Sequence, residues 1–235
     1  MLGIIGGMGP MSSSLFYSMI TEKTPAEGDQ DHMDLIMLSH ASMPDRTEAI
    51  LSGDRLKIEK VRDLLASDIE KLLKAGADNI AIACNTAHYF VDLLGEEKKH
   101  VIHMVKETVR AVEERDSHVK TALLATDGTI KTRLYQSALE DRGMEVFLPS
   151  DTCQRKIMSA IYDCVKRGRP IPQNLWEDIH REITDSGCDH ALLGCTELSI
   201  AAVELSLDIS REGFYIDPLD ILAERCVEIY KEKAK

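Results

Sequence analysis

Gly76-Ala77-Asp78-Asn79-Ile80-Ala81-Ile82-Ala83-Cys84-Asn85-Thr86-Ala87-His88 decides how the chain is read. Small and β-branched apolar residues run up to a cysteine, and helix-compatible sequence comes after it. Such a run marks a strand buried on both faces of a parallel sheet. It delivers Cys84 to the strand's C-terminal end, where Asn85 or Thr86 is placed to cap the next helix. The pattern returns at Gly187-Cys188-Asp189-His190-Ala191-Leu192-Leu193-Gly194-Cys195-Thr196-Glu197. In each copy Asp stands two positions after the glycine and Cys eight positions after it, so Gly76, Asp78 and Cys84 pair with Gly187, Asp189 and Cys195. Each half of the chain presents one thiol by the same local device.

Outward from these stretches, strands alternate with helices. Residues 2–5 form a short apolar run, followed by Gly6-Gly7-Met8-Gly9-Pro10 and a helical pattern through Phe16, Met19 and Ile20. The glycines do not fit G-x-G-x-x-G and no Gly-Lys-Ser/Thr follows, which argues against a nucleotide site. The turn, Met8 included, reads either as a tight connection or as a wall of a small-molecule pocket. A second strand over 34–39 runs into His40-Ala41-Ser42-Met43-Pro44-Asp45-Arg46-Thr47, where Pro44 stops the strand and Asp45 or Thr47 can cap the next helix. Arg46 then shares a sheet edge with Cys84, the edge at which open α/β sheets bind ligands. That position favours a carboxylate-binding role over the usual solvated loop charge.

Residues 56–74 carry apolar side chains at helical spacing and stop at Ala75-Gly76. Thr121 to Thr129 repeats the order strand, glycine turn, helix and opens a second α/β unit. A helical segment from Ile157 carries Lys166 at its end, 214–218 is a last strand, and 219–233 a last helix. The alternation predicts an α/β fold of two similar lobes, each a parallel sheet flanked by helices, related by a pseudo-twofold with the site in the cleft between them. The expected lobes are 1–103 plus 213–235, and 104–212.

Composition narrows the function classes. The 235 residues are 44% hydrophobic and 29% charged, ordinary for a globular chain long enough to bury a substantial core. A net charge of −12 argues against non-specific binding to nucleic acid or an anionic membrane, but a local Arg or Lys can still hold an anionic small molecule. No apolar run approaches membrane-spanning length, and the N-terminus reads as a first strand and not as a signal peptide. Six cysteines without a CxxC pair do not make a disulfide scaffold at this length, so free thiols in a reducing cytoplasm are expected. Cys153, Cys164 and Cys226 are read as structural.

A cysteine at a strand end and helix N-terminus meets unpaired N–H groups and the positive end of the helix dipole. Both are expected to draw its pKa from about 8.5 towards neutrality. If the lobes face each other, Cys84 and Cys195 reach a bound molecule from opposite sides. Stereoinversion at carbon needs that arrangement, with one thiolate removing a proton from one face while the other thiol donates to the opposite face. Donors at Asn85, Thr86 and Thr196 would stabilise the enolate-like charge.

Gly6-Gly7-Met8-Gly9-Pro10, Pro44-Asp45-Arg46-Thr47, Cys84-Asn85-Thr86-Ala87-His88, Leu124-Ala125-Thr126-Asp127-Gly128-Thr129 and Gly194-Cys195-Thr196-Glu197 together resemble the aspartate/glutamate racemase family, most closely its aspartate racemases. The resemblance covers essentially the whole chain. It implies a cofactor-independent, metal-free racemase of an acidic amino acid, aspartate ahead of glutamate, working as a homodimer. It also implies proton transfer by Cys84 and Cys195. Arg46 would bind the side-chain carboxylate, with Lys166 adding charge from the second lobe, and Asn85, Thr86 and Thr196 would hold the α-carboxylate. One departure stands out: archaeal-type aspartate racemases carry asparagines ahead of Pro-Asp-Arg-Thr, where this chain has Ser39-His40-Ala41-Ser42. The choice between aspartate and glutamate is therefore left open.

Other readings compete. Small-diacid isomerases or decarboxylases also use strand-end cysteines. A Cys–His hydrolase would pair Cys84 with His88, although His88 reads more readily as a packing or cap residue and Cys195 is then idle. Zinc on Cys188, His190 and Cys195 matches no compact zinc spacing. A non-catalytic amino-acid-binding module would need Arg46 and Lys166 but not two matched thiols.

Overall fold

The computed structural model describes residues 1–115 and 119–234; residues 116–118 and 235, which the expected lobe ranges span, lie outside the described residues. The chain begins with β1 (Leu2–Gly6), α1 (Pro10–Lys23), β2 (Leu35–Ser39), α2 (Arg46–Ser52), α3 (Arg55–Lys74), β3 (Asn79–Ile82), α4 (His88–Asp92) and β4 (Val101–Ile102). It continues with α5 (Met104–Arg115), β5 (Lys120–Ala125), α6 (Asp127–Lys131), α7 (Leu134–Glu140), β6 (Glu145–Phe147) and α8 (Asp151–Ser159). Last come α9 (Gln173–Asp185), β7 (His190–Gly194), α10 (Thr196–Glu204), β8 (Tyr215–Ile216) and α11 (Pro218–Ala234). The strands form two wholly parallel sheets, ordered β2-β1-β3-β4 and β6-β5-β7-β8. The two orders are the same, as a duplicated unit requires.

The repeated Gly-x-Asp motif explains how each central strand is laid down. Gly76 and Gly187 adopt left-handed φ values of 97° and 70°, which only glycine takes without strain. Their N–H groups close α3 and α9 by donating to the carbonyls of Leu73 and Thr184, each at 3.0 Å. Two residues on, the N–H of Asp78 donates to Met1 O at 3.0 Å and that of Asp189 to Lys120 O at 2.9 Å, which sets the register against β1 and β5. Side chains then alternate between the two faces. Ile80, Ile82 and Cys84 enter one core with Leu65, Ile69 and Leu72 of α3. Ala81 and Ala83 enter the other, with α1 and α11. Ala191, Leu193 and Cys195 do the same on β7, opposite Leu192. Each fully buried Ile or Leu contributes roughly 1.5–3 kcal/mol, so a one-residue slip that exchanged the faces would be severe.

The last strand corrects an expectation. The expected first lobe takes in 213–235, but β8 pairs with β7, Ala191 lying opposite Tyr215 and Leu192 opposite Ile216. Its backbone groups are satisfied at the edge of the second sheet. Only α11 returns to the first lobe, where Leu219, Leu222, Ala223, Cys226 and Val227 pack against Leu2, Ile4 and Phe16. Among the described residues no helix is long and apolar enough to cross a membrane.

In each sheet the strand order reverses direction between the two inner strands, β1 and β3 or β5 and β7. Loops after such strands diverge and leave a crevice at the C-terminal edge. Four loops meet there: Gly7–Gly9 and Cys84–Ala87 from one lobe, Thr126 and Cys195 from the other. Contact between the lobes is tight. A Cβ on Gly128 of α6 would lie 2.9 Å from the Cα of Thr47 on α2.

Candidate active site

Cys84 and Cys195 leave their strands by the same backbone contact, each N–H donating at 2.8 Å to the carbonyl two residues earlier, Ile82 or Leu193. Cys195 is the N-terminal cap residue of α10. After Cys84 the outcome differs from the expected side-chain cap. The residues 85–87 make a turn, and α4 starts on a backbone bond from His88 N–H to Asn85 O at 3.0 Å. The side chains of Asn85 and Thr86 cross instead to the other lobe. Asn85 Oδ1 accepts from the Tyr135 hydroxyl, and the Thr86 hydroxyl contacts those of Thr126 at 3.1 Å and Thr129 at 2.9 Å. Thr47 donates to Thr126 at 3.1 Å, completing a buried hydroxyl cluster between the lobes.

All eight residues selected from the sequence, Met8, Arg46, Cys84, Asn85, Thr86, Lys166, Cys195 and Thr196, line one cavity between the lobes, with Asp45, Thr47, Thr126, Tyr162 and Glu197. It encloses about 10 Å³, room for about one water molecule. A wider chamber of about 260 Å³ adjoins it and shares Met8, Asp45, Arg46, Lys166 and Glu197.

Arg46, at the start of α2, is buried. Its Nη1 donates to Met43 O and Pro44 O at 3.2 and 3.0 Å, and its Nη2 to Met8 O at 3.2 Å. Its Nε has no hydrogen-bond partner. Burial works against the guanidinium's charge, but Cys84, Asp45 and Glu197 beside it outweigh that and raise its pKa. Asp45 caps α2 by accepting from Glu48 N–H at 2.9 Å. It also accepts from the Tyr162 hydroxyl across the cleft at 3.1 Å and lies 3.6 Å from Lys166 Nζ. Burial would raise the Asp45 carboxyl, yet the Glu48 N–H, Lys166, Arg46 and Tyr162 together hold it below its ordinary value. Lys166 stacks over the Tyr162 ring at 4.2 Å and stands 4.0 Å from Glu197 Oε1. Burial opposes its charge as well, but Glu197, Cys195, Tyr162 and Asp45 raise its pKa.

The expected activation of both thiols by a helix terminus fails at Cys195. Burial, and after it the Glu197 carboxylate, push this thiol well above its ordinary range, against the weaker pull of Lys166. Its S–H donates to Glu197 Oε2 at 2.9 Å. Desolvation and an adjacent carboxylate both disfavour thiolate, and the partial charge of a helix terminus does not offset them. Cys195 rests here as a protonated thiol.

His88 is fully buried, and both ring nitrogens are committed to backbone: Nδ1–H donates to Cys84 O at 2.9 Å, and Nε2 accepts from Met104 N–H at 3.1 Å. Burial, and next His103, lower its pKa to about 3, so the ring is neutral. It has no nitrogen left for the Cys84 thiol, which removes the hydrolase dyad. Truncation to His88→Ala is expected to cost roughly 2–4 kcal/mol of stability while lowering kcat of the folded protein less than about tenfold. A denaturation curve beside the rate checks this, and a loss of rate as deep as that of Cys84→Ser would restore His88 as a base. For zinc, Cys188 turns to Ser186 Oγ at 3.1 Å while Cys195 faces Glu197. Among the described residues no group of three or more His, Cys, Asp or Glu side chains could hold a metal ion.

Several residues that line or support the site escaped the sequence. Tyr162 sits on a π-helical turn, Ala160–Cys164, that continues α8 and precedes the turn bearing Lys166. A Tyr four residues before a Lys in a helix-like run was the only available signal. Thr126 and Thr129 lie within the motif at 124–129, but their hydroxyl partner Thr86 is forty or more residues away.

Three comparisons place this architecture. Broad specificity amino-acid racemase RacX of Bacillus subtilis (strain 168) is 27% identical over 237 aligned residues, 98% of each chain. The solved structure of Picrophilus torridus aspartate racemase matches with a TM-score of 0.81 and 27% identity, covering 98% of this chain and 94% of that one. An aspartate racemase homologue from Pyrococcus horikoshii OT3, at 22% identity and a TM-score of 0.74 over 98% of both chains, shares the fold. With a family model for Asp/Glu/Hydantoin racemase matching residues 5–226 as well, the chain belongs to that family of isomerases.

Proposed function

We propose that the protein racemises an acidic amino acid, aspartate ahead of glutamate, by two-base proton transfer between Cys84 and Cys195, with no cofactor. The observation that carries this reading is the pair of thiols in one enclosed cavity, each supplied by its own lobe through the same strand-end device. One thiolate takes the α-proton, the electron pair passes into the α-carboxylate as an enolate-like anion, and the opposite thiol returns a proton to the other face. The product leaves the two thiols with their protonation exchanged, so each serves as acid in one direction and base in the other.

The unpartnered polar atoms around the cavity support an amino-acid ligand. Asn85 Nδ2 and Arg46 Nε are buried donors without acceptors, and Glu197 Oε1 is a buried acceptor without a donor. Two donors and one acceptor complement carboxylate oxygens and an ammonium group, and buried polar groups left unmatched are costly. In this reading Asn85, Thr86 and Thr196 hold the α-carboxylate, Met8 walls the site, and Arg46 and Lys166 receive the side-chain carboxylate as Lys166 exchanges Asp45 for substrate. A cavity of about 10 Å³ cannot hold aspartate, so the lobes part for binding and the Tyr162–Asp45 and Lys166–Asp45 contacts break. Action as a homodimer in the cytoplasm completes the proposal, and a sedimentation mass tests the dimer.

The test is α-proton exchange and racemisation of L-aspartate and L-glutamate in D₂O without added cofactor. Inversion of at least one, with deuterium in the product, is expected. Intact protein that exchanges neither α-proton would overturn the proposal in favour of small-diacid chemistry. One observation favours a second reading: the chamber beside the thiols is lined by Met8, Met11 and Met43, adaptable side chains suited to varied ligands. The similarity to a broad-specificity racemase points the same way. Including L-methionine and L-lysine among the substrates separates the two.

A further inference from the structure

We propose that His40 and Asp68 form a positioning pair that locks the loop after β2 and so holds Arg46 beside Cys84. The proposal rests on the reading of Arg46 as the group that receives the substrate's side-chain carboxylate.

Asp68 is fully buried on α3, whose inward face is otherwise Val61, Leu65, Ile69 and Leu72. A carboxylate in such a place is costly unless it is matched. His40 Nδ1–H donates to its Oδ2 at 2.5 Å, and Lys71 Nζ donates to its Oδ1 at 2.8 Å. Neither His40 nor Asp68 lines the two-thiol cavity or the adjoining chamber.

What the pair fixes is the backbone of His40, from which an unbroken path leads to Arg46. The His40 N–H donates to Gly6 O at 3.0 Å, and its carbonyl accepts from Met43 N–H at 3.1 Å. Met43 O in turn accepts from Arg46 Nη1 at 3.2 Å. On the other side lies Gly7, with φ +87°, where a Cβ would stand 2.6 Å from His40 N and C. That glycine turn also supplies Met8 O to Arg46 Nη2 at 3.2 Å. Two of the three backbone acceptors of the guanidinium, Met43 O and Met8 O, therefore trace back to His40, and the ring of His40 is anchored by one buried carboxylate. Arg46 makes no hydrogen bond to α3; its own helix packs on α3 through Ala49 and Ile50, and the loop is a second route by which α3 sets the guanidinium's position.

Two readouts test this in His40→Ala, His40→Gln, His40→Asn and Arg46→Ala. In turnover, His40→Ala should raise KM for the acidic substrate about tenfold with kcat changed less than about twofold, the mark of lost uniform binding. The second readout needs no turnover: the rate of Cys84 alkylation by iodoacetate relative to iodoacetamide, read by peptide mass spectrometry. A guanidinium beside the thiol favours the anionic reagent, so the ratio should fall about fivefold in His40→Ala and in Arg46→Ala. His40→Asn, whose amide N–H replaces Nδ1–H, should stay within about twofold of wild type. His40→Gln reaches past Asp68 and should resemble His40→Ala, standing in for it if the alanine variant does not fold. An unchanged ratio in His40→Ala and His40→Gln while Arg46→Ala lowers it would overturn the positioning role, as would a His40→Asn ratio as low as that of alanine. An unchanged ratio in Arg46→Ala would remove the guanidinium from Cys84 altogether. If wild type exchanges no acidic α-proton, the racemase reading falls while the alkylation ratio still decides the role of His40.

Discussion

Cys84→Ser and Cys195→Ser should each lower racemisation about a thousandfold, within the roughly 10²–10⁴ span of a lost general acid or base. Serine keeps the shape of the side chain but does not ionise near neutral pH, so the lesion is chemical and the fold should survive. The more discriminating result is how proton exchange divides between the variants. A protein with one working thiol can still take the α-proton of the enantiomer whose hydrogen faces it, exchange it with solvent, and return deuterium to the same face. Each variant should therefore incorporate deuterium without inversion into one enantiomer only, and the two variants should choose opposite enantiomers. Nuclear magnetic resonance of the α-proton with each pure enantiomer measures this. A variant that exchanges both enantiomers would mean that a group other than the remaining thiol removes the proton. Equal loss of exchange from both enantiomers in both variants would mean that the thiols act as a single nucleophilic unit.

The alternation of strands with helices and the thiol pair are legible in the sequence because they rest on local rules. A left-handed glycine after a helix, an aspartate that opens the strand and an apolar run ending in cysteine specify one arrangement wherever they occur, and this chain contains them twice. What escapes depends on distance. Asn85 and Thr86 look like caps in a local reading, yet their partners Tyr135, Thr126 and Thr129 belong to the other lobe. Tyr162 reaches Asp45, 117 residues away, from a π turn that continues α8. The two-residue strand β8 carries too little pattern to show which sheet it joins. The thiol of Cys195 departs from expectation for the same reason, since the helix terminus is visible in sequence but the burial that outweighs it is not.

The raised Cys195 thiol underlies the other large effect expected, in Glu197→Gln. Racemisation requires one thiolate and one thiol, so kcat/KM should rise with pH as the first proton leaves the pair and fall as the last one leaves. The last proton is held at Cys195, whose pKa is raised by burial and, second, by the Glu197 carboxylate accepting its S–H. A raised thiol pKa moves the alkaline limb to higher pH, which widens the active range upward. Glutamine keeps an acceptor oxygen and the side chain's volume but removes the negative charge, so the pKa of Cys195 should drop. The alkaline limb of kcat/KM should then move down by at least about one pH unit, and at a pH on the falling limb the variant should be about tenfold or more slower than wild type. Enantiomers have equal free energy in water, so kcat/KM must be the same in both directions at every pH. The limb should accordingly shift equally with the L and the D substrate. Rates of both enantiomers between about pH 6 and 11 measure it. An alkaline limb that stays in place would detach Glu197 from the titration of Cys195, and a shift to higher pH would reverse the sign of the carboxylate's effect on the thiol.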